Sequence, residues 1–533
     1  MNVEHSSLLL GLFGLLPEVV LVLFFIAALV IDSMSHGSRR GMAWLTLTGY
    51  ALAGVAAILG MAPLPDGSIE FFSLGQNDFR GDWFFPAQRF EAGNGMAVVD
   101  DFAVYFKVII ALCGVLVSLF SLLSRELDVE GRPRLGEYYS LLLGMGVGLF
   151  LMASANDLLL AYLAIEIASL ASYAIVGVTK GLERSGEASM KYVIYGGVAS
   201  GAMLFGISML YGLLGTTNFS EIAGIVGTRN VASVPAAPFI MASVLIFAGI
   251  GYKISAAPFH AWTPDVYEGG PITMTAFLSV ASKAAGLALL ARLVVVAYPE
   301  LQGFDWSTIL AWVAAATMTL GNLAALGQSN LKRLLAYSSI AHAGYMLAGI
   351  AIGTPYGVTA TMIYVGVYLV MNLGAFLAVQ VMAEQVGSEE IEDYRGLGPM
   401  MPTVGVIVGI LMVALVGLPP TGGFIAKLFL FNAIIEGPRE FLWLGVVAAV
   451  NSVIALYYYI RVLKVMYLDP PSEEAIRPSF ALAPRVLLFV LGGLALVSGL
   501  PTVFGPLVEG ARSSLGTLVF GLREGASRVL GGQ

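Results

Sequence analysis

The chain has 533 residues, 58% of them apolar and 12% charged, whereas an ordinary soluble domain carries roughly 25% charged residues, so a soluble globule is excluded. Its 27 Lys and Arg stand against 35 Asp and Glu, a net charge of −8 with no basic stripe to follow a phosphate backbone, and nucleic acid is not an expected partner. One cysteine, Cys113, cannot build a disulfide framework, a cysteine-ligated cluster or a zinc site. With no GxGxxG, GxxxxGKS/T or HExxH motif, the chain is expected to hold no redox cofactor, nucleotide or metal of its own.

Apolar runs of about 20 residues, each long enough to cross ~30 Å of hydrocarbon, predict an all-α polytopic membrane protein with about fourteen transmembrane helices in a lipid bilayer. The first, about 8 to 31, has no basic leader or small-residue cleavage site and reads as a retained helix. Runs at about 41 to 61 and 101 to 123 follow, separated by an acidic loop, and residues 1–135 read as an N-terminal three-helix unit. Spans at about 136 to 154, 157 to 178, 188 to 214, 237 to 261 and 272 to 296 make a five-helix unit over 136–296. Those at about 307 to 327, 333 to 352, 356 to 384, 402 to 434 and 440 to 468 make another over 305–470. A last span, about 482 to 508, and a tail form 471–533.

Short cytoplasmic loops are enriched in Lys and Arg. With the N-terminus outside, the inner loops collect Arg39, Arg40, Arg125, Arg132, Arg134, Lys180, Arg184, Lys332 and Arg333, while the loop 62–100 with Asp66, Glu70, Asp78 and Asp82 faces out. An even number of spans then puts both termini on the outer side.

Ionisable residues fall inside these spans. Glu166 is central in the fifth, Lys283 and Lys427 lie deep, Lys253 is somewhat off centre, and Lys191, Lys107 and Arg292 lie nearer an end. A charge in mid-bilayer costs several kcal/mol and persists where it faces protein or water, so together these groups point to a charge pathway. Lys191 is also placed to reach the inner interface, and Lys107 and Arg292 read as structural. Two lysine spans are interrupted. Pro258 follows Lys253 by five residues in GYKISAAPFHAW, and Pro419 and Pro420 precede Lys427 in ALVGLPPTGGFIAKLF, the arrangement by which transporters build ion sites. Broken helices 7 and 12 are each the fourth of five. Five being odd, the units form two inverted five-helix repeats, although no residue-by-residue alignment links them. His260 and His342 read equally as proton relays or satisfied core histidines, and Gly197 with Gly201 as a close helix contact.

Six segments then resemble one family: LLAYLAIEIASLASYAIVG around Glu166, SGEASMKYVIYGG around Lys191, GYKISAAPFHAWTPDVYEGGP around Lys253, SKAAGLALLAR around Lys283, NLKRLLAYSSIAHAGYML around His342 and GLPPTGGFIAKLFLF around Lys427. They are similar to the antiporter-like membrane subunits of proton-pumping NADH:quinone oxidoreductase, respiratory complex I, over roughly 100 to 470. NSVIALYYYIRVLKVMYL and a lysine at 427 narrow the likeness to the branch related to mitochondrial subunit 2. The resemblance implies that Glu166 is a coupling glutamate paired electrostatically with Lys191. Lys253 would hold the transported proton, Lys283 connect, and Lys427 end the chain near the outer exit, facing a hydrated cavity. It implies translocation of protons driven by quinone reduction in partner subunits, both membrane and peripheral, which would hold NADH, FMN, iron–sulfur clusters and quinone. It also implies a bacterial inner membrane location. A subunit of a multi-subunit sodium/proton antiporter is the alternative.

Overall fold

The computed structural model describes residues 14–35, 38–59, 90–92, 95–127, 135–179, 183–227, 235–298, 305–471 and 482–500, with part of 505–514. Among these, twelve helices are long and apolar enough to cross a membrane, and two shorter apolar helices fill the remaining predicted positions. The spans, in order, are α1 Leu16–Ser35, α2 Arg39–Leu59, α3 Asp101–Leu123, α4 Gly136–Ser154, α5 Leu158–Val176 and α6 Glu183–Leu214. They continue as α7 Ala236–Ile254, α8 Ile272–Ala297, α9 Trp306–Leu326, α10 Leu331–Ala351 and α11 Pro355–Val386. α12 consists of two pieces, Pro402–Val416 and Gly422–Glu436, and α13 Leu442–Tyr467 and α14 Leu482–Val497 complete the set. The chain is a multi-pass, all-α membrane protein. Most of the acidic loop 62–100 lies outside the described residues; the part that is described includes a small antiparallel hairpin, β1 Phe90–Ala92 with β2 Ala97–Val99, within the segment expected as loop.

Hydrocarbon offers no hydrogen bonds, so each span must satisfy its own backbone and start and stop cleanly. Polar caps at the ends do this: Asp100 accepts from Ala103 N, Asp157 from Leu159 N and Leu160 N, Asn330 from Arg333 N, and Thr354 from Gly357 N with Pro355 in the first turn. The buried spine is α8, α10 and α11. Of the α8 span 94% is buried, against 22% for α1 and 33% for α6, whose apolar outer sides are exposed.

The breaks fall where proline sterics place them. A proline ring collides with the carbonyl four residues earlier, which for Pro258 is that of Ile254, the last residue of α7. The predicted span to about 261 is therefore cut directly behind Lys253: Ser255 turns left-handed (φ 62°), and the chain resumes as Trp262–Gly269. In the same way Pro420 conflicts with the carbonyl of Val416, the end of the first piece of α12. Gly417 (φ 83°) closes that piece, and a side chain there would meet Lys427 Cδ at 2.8 Å. Only glycine lets the lysine pass. α8 carries a third irregularity, a π-helical turn at Leu278–Ser282 immediately before Lys283; such turns recur at functional sites.

Candidate functional site, a file of buried lysines

Lys253 ends α7 with its ammonium 3.1 Å from Ser169 Oγ on α5. Ser169 is three residues from Glu166, hence on the same side of that helix, and the Glu166 charge acts on Lys253. Glu166 lines a cavity of about 370 Å³ together with Leu170, Tyr173, Ser189, Gly197 and Ser200, and its Oε1 has no hydrogen-bond partner. Gly197 and Gly201 have nothing within 4 Å of an added Cβ, so they line the open side of α6 and do not pack a helix closely.

Lys191 sits elsewhere than on Glu166. Its ammonium bonds Asp265 Oδ2 at 2.7 Å and Glu187 Oε1 at 2.8 Å, and its side chain is 40% exposed. Asp265, in the helix after the α7 break, also accepts from Arg333 of α10 at 2.8 Å, and Arg333 reaches Glu268 at 2.7 Å. The PDVYEGG segment is thus the seat of Lys191 and ties the first lysine site to α10.

Deeper in, Lys283 donates to Ser339 O at 2.7 Å and contacts Ser339 Oγ. Three residues along α10, His342 holds Tyr364 OH at 2.9 Å through Nδ1 and Tyr459 OH at 3.3 Å through Nε2, and both Lys283 and Lys427 act on it electrostatically. Lys427 donates to Val416 O at 2.8 Å, the carbonyl released by the α12 break, and to Ser452 Oγ at 3.1 Å. Its ammonium lies 4.6 Å from the centre of the Tyr345 ring, a cation–π contact. The residue is buried and folded back on its own break.

Lys283, His342 and Lys427 each bond a serine or tyrosine oxygen around α10, Lys283 at Ser339, His342 at Tyr364 and Tyr459, and Lys427 at Ser452, and Lys253 with Glu166 forms a second group. His260, in the turn carrying Pro258, keeps a buried Nδ1 without a partner and is not hydrogen-bonded to a lysine. Pro419 and Pro420 act by setting the break. Lys107 and Arg292 are locked into buried pairs, Lys107 with Glu18 at 2.7 Å and Arg292 with both oxygens of Asp100 at 2.7 and 2.8 Å. The sequence reading missed Ser169, Ser339, Tyr364, Tyr459 and Ser452. The signal was present for Tyr459 and Ser452, which stand two turns apart on one side of α13. No group of three metal-ligating side chains occurs among the described residues.

Residues 155–455 match the NADH:quinone oxidoreductase/Mrp antiporter transmembrane family. A protein of Chloroherpeton thalassium, NADH-quinone oxidoreductase subunit N 2, is 40% identical over 519 residues, covering 96% of each chain. Among solved structures, a chain of respiratory complex I from Thermus thermophilus with bound aureothin is 30% identical with a TM-score of 0.70, over 91% of this chain and 97% of that one. A chain of the Mrp complex from Dietzia sp. superposes with a TM-score of 0.76 over 97% of this chain and all of that one, at 19% identity, which shows a shared fold.

Proposed function

The chain belongs to the NADH:quinone oxidoreductase/Mrp antiporter transmembrane family, and from that membership we propose that it is a membrane-arm subunit of a proton-pumping NADH:quinone oxidoreductase whose buried lysines carry the proton. The observation that carries the reading is the seating of Lys283 on Ser339, one turn of α10 from His342, and of Lys427 on Val416 O and Ser452, with no carboxylate pairing with either ammonium among the described residues. A lysine taken out of water binds its proton less tightly and can exchange it near neutral pH. The hydroxyls of Ser339, Tyr364, Tyr459 and Ser452 both donate and accept, so they can pass a proton between nitrogens that do not touch.

In the first group, Glu166 tunes Lys253. Lys191 rests on Asp265 and Glu187; a carboxylate near a buried lysine favours its charged form, so moving the Lys191 cation toward Glu166 would weaken that support and release a proton. Moving a proton against the membrane potential costs about 2.3 kcal/mol per 100 mV. That work comes from quinone reduction in partner membrane and peripheral subunits, which hold the NADH, FMN, iron–sulfur and quinone sites. The units 136–296 and 305–470 act as inverted repeats, each with its broken helix fourth. The cation distribution supports both termini on the outer side of the membrane, a bacterial inner membrane in this reading. The sodium/proton antiporter reading has the shared fold behind it, whereas the full-length relative at 40% identity is a quinone oxidoreductase subunit.

The test is Lys283→Met in the assembled complex. Quinone reduction coupled to pumping should fall at least about tenfold at equal complex content. Unchanged pumping would remove Lys283 from the path.

A further inference from the structure

One buried polar system remains outside this scheme. At the end of the molecule where α3 and α11 finish and α8 and α10 begin, three segments converge on the turn Gly270–Ile272. Glu126, in the loop after α3, accepts from Ile272 N at 2.9 Å. Lys332, in the first turn of α10, donates to Gly270 O at 3.0 Å and pairs with Glu389 at 2.9 Å. Glu126 is partly exposed beside exposed Arg125, and its carboxyl holds the first residue of α8.

From that residue a polar edge climbs α8. Thr275, Ser279 and Lys283 follow at four-residue steps, which places them on one side of the helix, with Ser282 three residues after Ser279 at its border, and all are buried. Thr275 Oγ1 bonds Ile272 O at 2.9 Å, Asn372 of α11 donates to Ser279 Oγ at 2.6 Å, and Lys283 closes the series on Ser339. Two atoms along it, Ser282 Oγ and Asn372 Oδ1, are buried with no protein partner. Such atoms are where internal water binds. The π-turn at Leu278–Ser282 widens the helix at that level.

We propose that Glu126 is a proton-loading residue, taking a proton from the aqueous phase and passing it along the Thr275, Ser279 and Ser282 edge of α8 to Lys283, an entry separate from Lys253. The step is a transfer of one proton: the Glu126 carboxyl gives up H⁺ to the hydroxyl and water file, the Lys283 amine gains it, and no electrons move. The inference rests on the lysine path proposed above.

The surroundings of Glu126 suit a loading role. Burial pushes its carboxyl above the ordinary range; the Lys332 charge and the Ile272 amide oppose that, and Glu389 adds to it. Its other neighbours are Tyr138 of α4, whose hydroxyl bonds Thr273, and Glu384 of α11, which accepts from Arg125 N; Arg39 of α2 acts on Tyr138.

The experiment is Glu126→Gln in the intact complex. The amide oxygen still accepts from Ile272 N, so the turn is kept and only titration is lost. Coupled quinone reduction and proton uptake, measured from pH 6 to 9 at equal complex content, should fall about tenfold at alkaline pH and recover toward the native rate at pH 6, where bulk protons replace the lost donor. Thr275→Val, which interrupts the file away from the turn, should lower the rate at every pH. A native pH profile in Glu126→Gln, or native turnover in Thr275→Val, overturns the proposal. Lys283→Met separates the two readings: if it is defective while Glu126→Gln is native, only this entry fails, and if it pumps normally the lysine path itself fails.

Discussion

The two lysine regions solve the same electrostatic problem in different ways. Around Lys191 and Lys253 the chain supplies carboxylates: Asp265 and Glu187 hold one ammonium and Glu166 acts on the other, beside an open cavity. Around Lys283 and Lys427 it supplies neutral oxygens, the carbonyls of Ser339 and Val416 and the hydroxyls of Ser339 and Ser452, in a closed interior. Carboxylates can be repositioned to change how tightly a lysine keeps its proton. Neutral oxygens solvate an ammonium without a counter-charge, so a lysine among them can exist with or without its proton. The first region is therefore suited to switching and the second to conduction.

A third region, outside both, sets the scale. Arg292 and Asp100 form a bidentate buried pair, and Asp100 also caps α3, so this pair fixes the C-terminal part of α8 against the start of α3. Leaving one buried partner alone costs about 3–5 kcal/mol. Arg292→Met should therefore lower the amount of assembled complex more than any other single change, while turnover per complex stays native. Arg292→Met with Asp100→Asn should restore much of the assembly, since Asn still caps α3. Complex content by quantitative blotting and turnover per complex are the measurements. A fall in turnover per complex would mean that this pair, too, belongs to the conducting system.

Lys427 tests conduction directly. Lys427→Arg should pump poorly, at least about tenfold below native, because guanidinium does not release its proton near neutral pH. Lys427→Ala should be as damaging, and Lys427→His, which titrates, should keep part of the activity. Arginine at the native level would show that the charge matters and the proton does not, and would place Lys427 with Arg292. In the switching region the effect is smaller: Glu166→Ala should lower coupled quinone reduction severalfold with assembly intact, Glu166→Asp less so, read as pumping per quinone reduced.

Much of this was legible in the sequence, for a physical reason. Span length is set by hydrocarbon thickness, and a buried Glu or Lys is so costly that its position announces a site, which is why Glu166, Lys253, Lys283 and Lys427 stand out. The position of each break was legible only to within a few residues, since the collision of Pro258 is with Ile254 and cuts α7 directly behind Lys253. The seat of Lys191 was not legible. Asp265 lies 74 residues away, in the short helix after the α7 break, and nothing in the sequence distinguishes its carboxylate from a solvated one. The hydroxyl relays were hidden for the opposite reason: serine and tyrosine are inexpensive in a buried helix, so Ser339 and Tyr459 give no signal until the fold brings them to a nitrogen.

Those relays supply the smallest test and the one that resolves neighbouring atoms. Tyr458 and Tyr459 are adjacent, both buried, and differ in what they hold: Tyr459 OH contacts His342 Nε2 at 3.3 Å and Ser338 Oγ, whereas Tyr458 OH donates to Asn322 Oδ1 at 3.0 Å, in the contact between α9 and α13. A phenylalanine at either site removes one hydroxyl, worth about 1 kcal/mol as a net hydrogen bond, with little change of shape. If protons pass His342, Tyr459→Phe takes a proton-bearing group from the file and should slow pumping about two- to fivefold, the remaining rate running through Tyr364 on the other nitrogen. Tyr458→Phe takes a hydrogen bond of the same strength from a packing contact and should leave turnover per complex native while lowering thermal stability slightly. Equal slowing by both would mean that the aromatic pair acts by shape alone, and the conducting file would then have to run from Lys283 to Lys427 without His342.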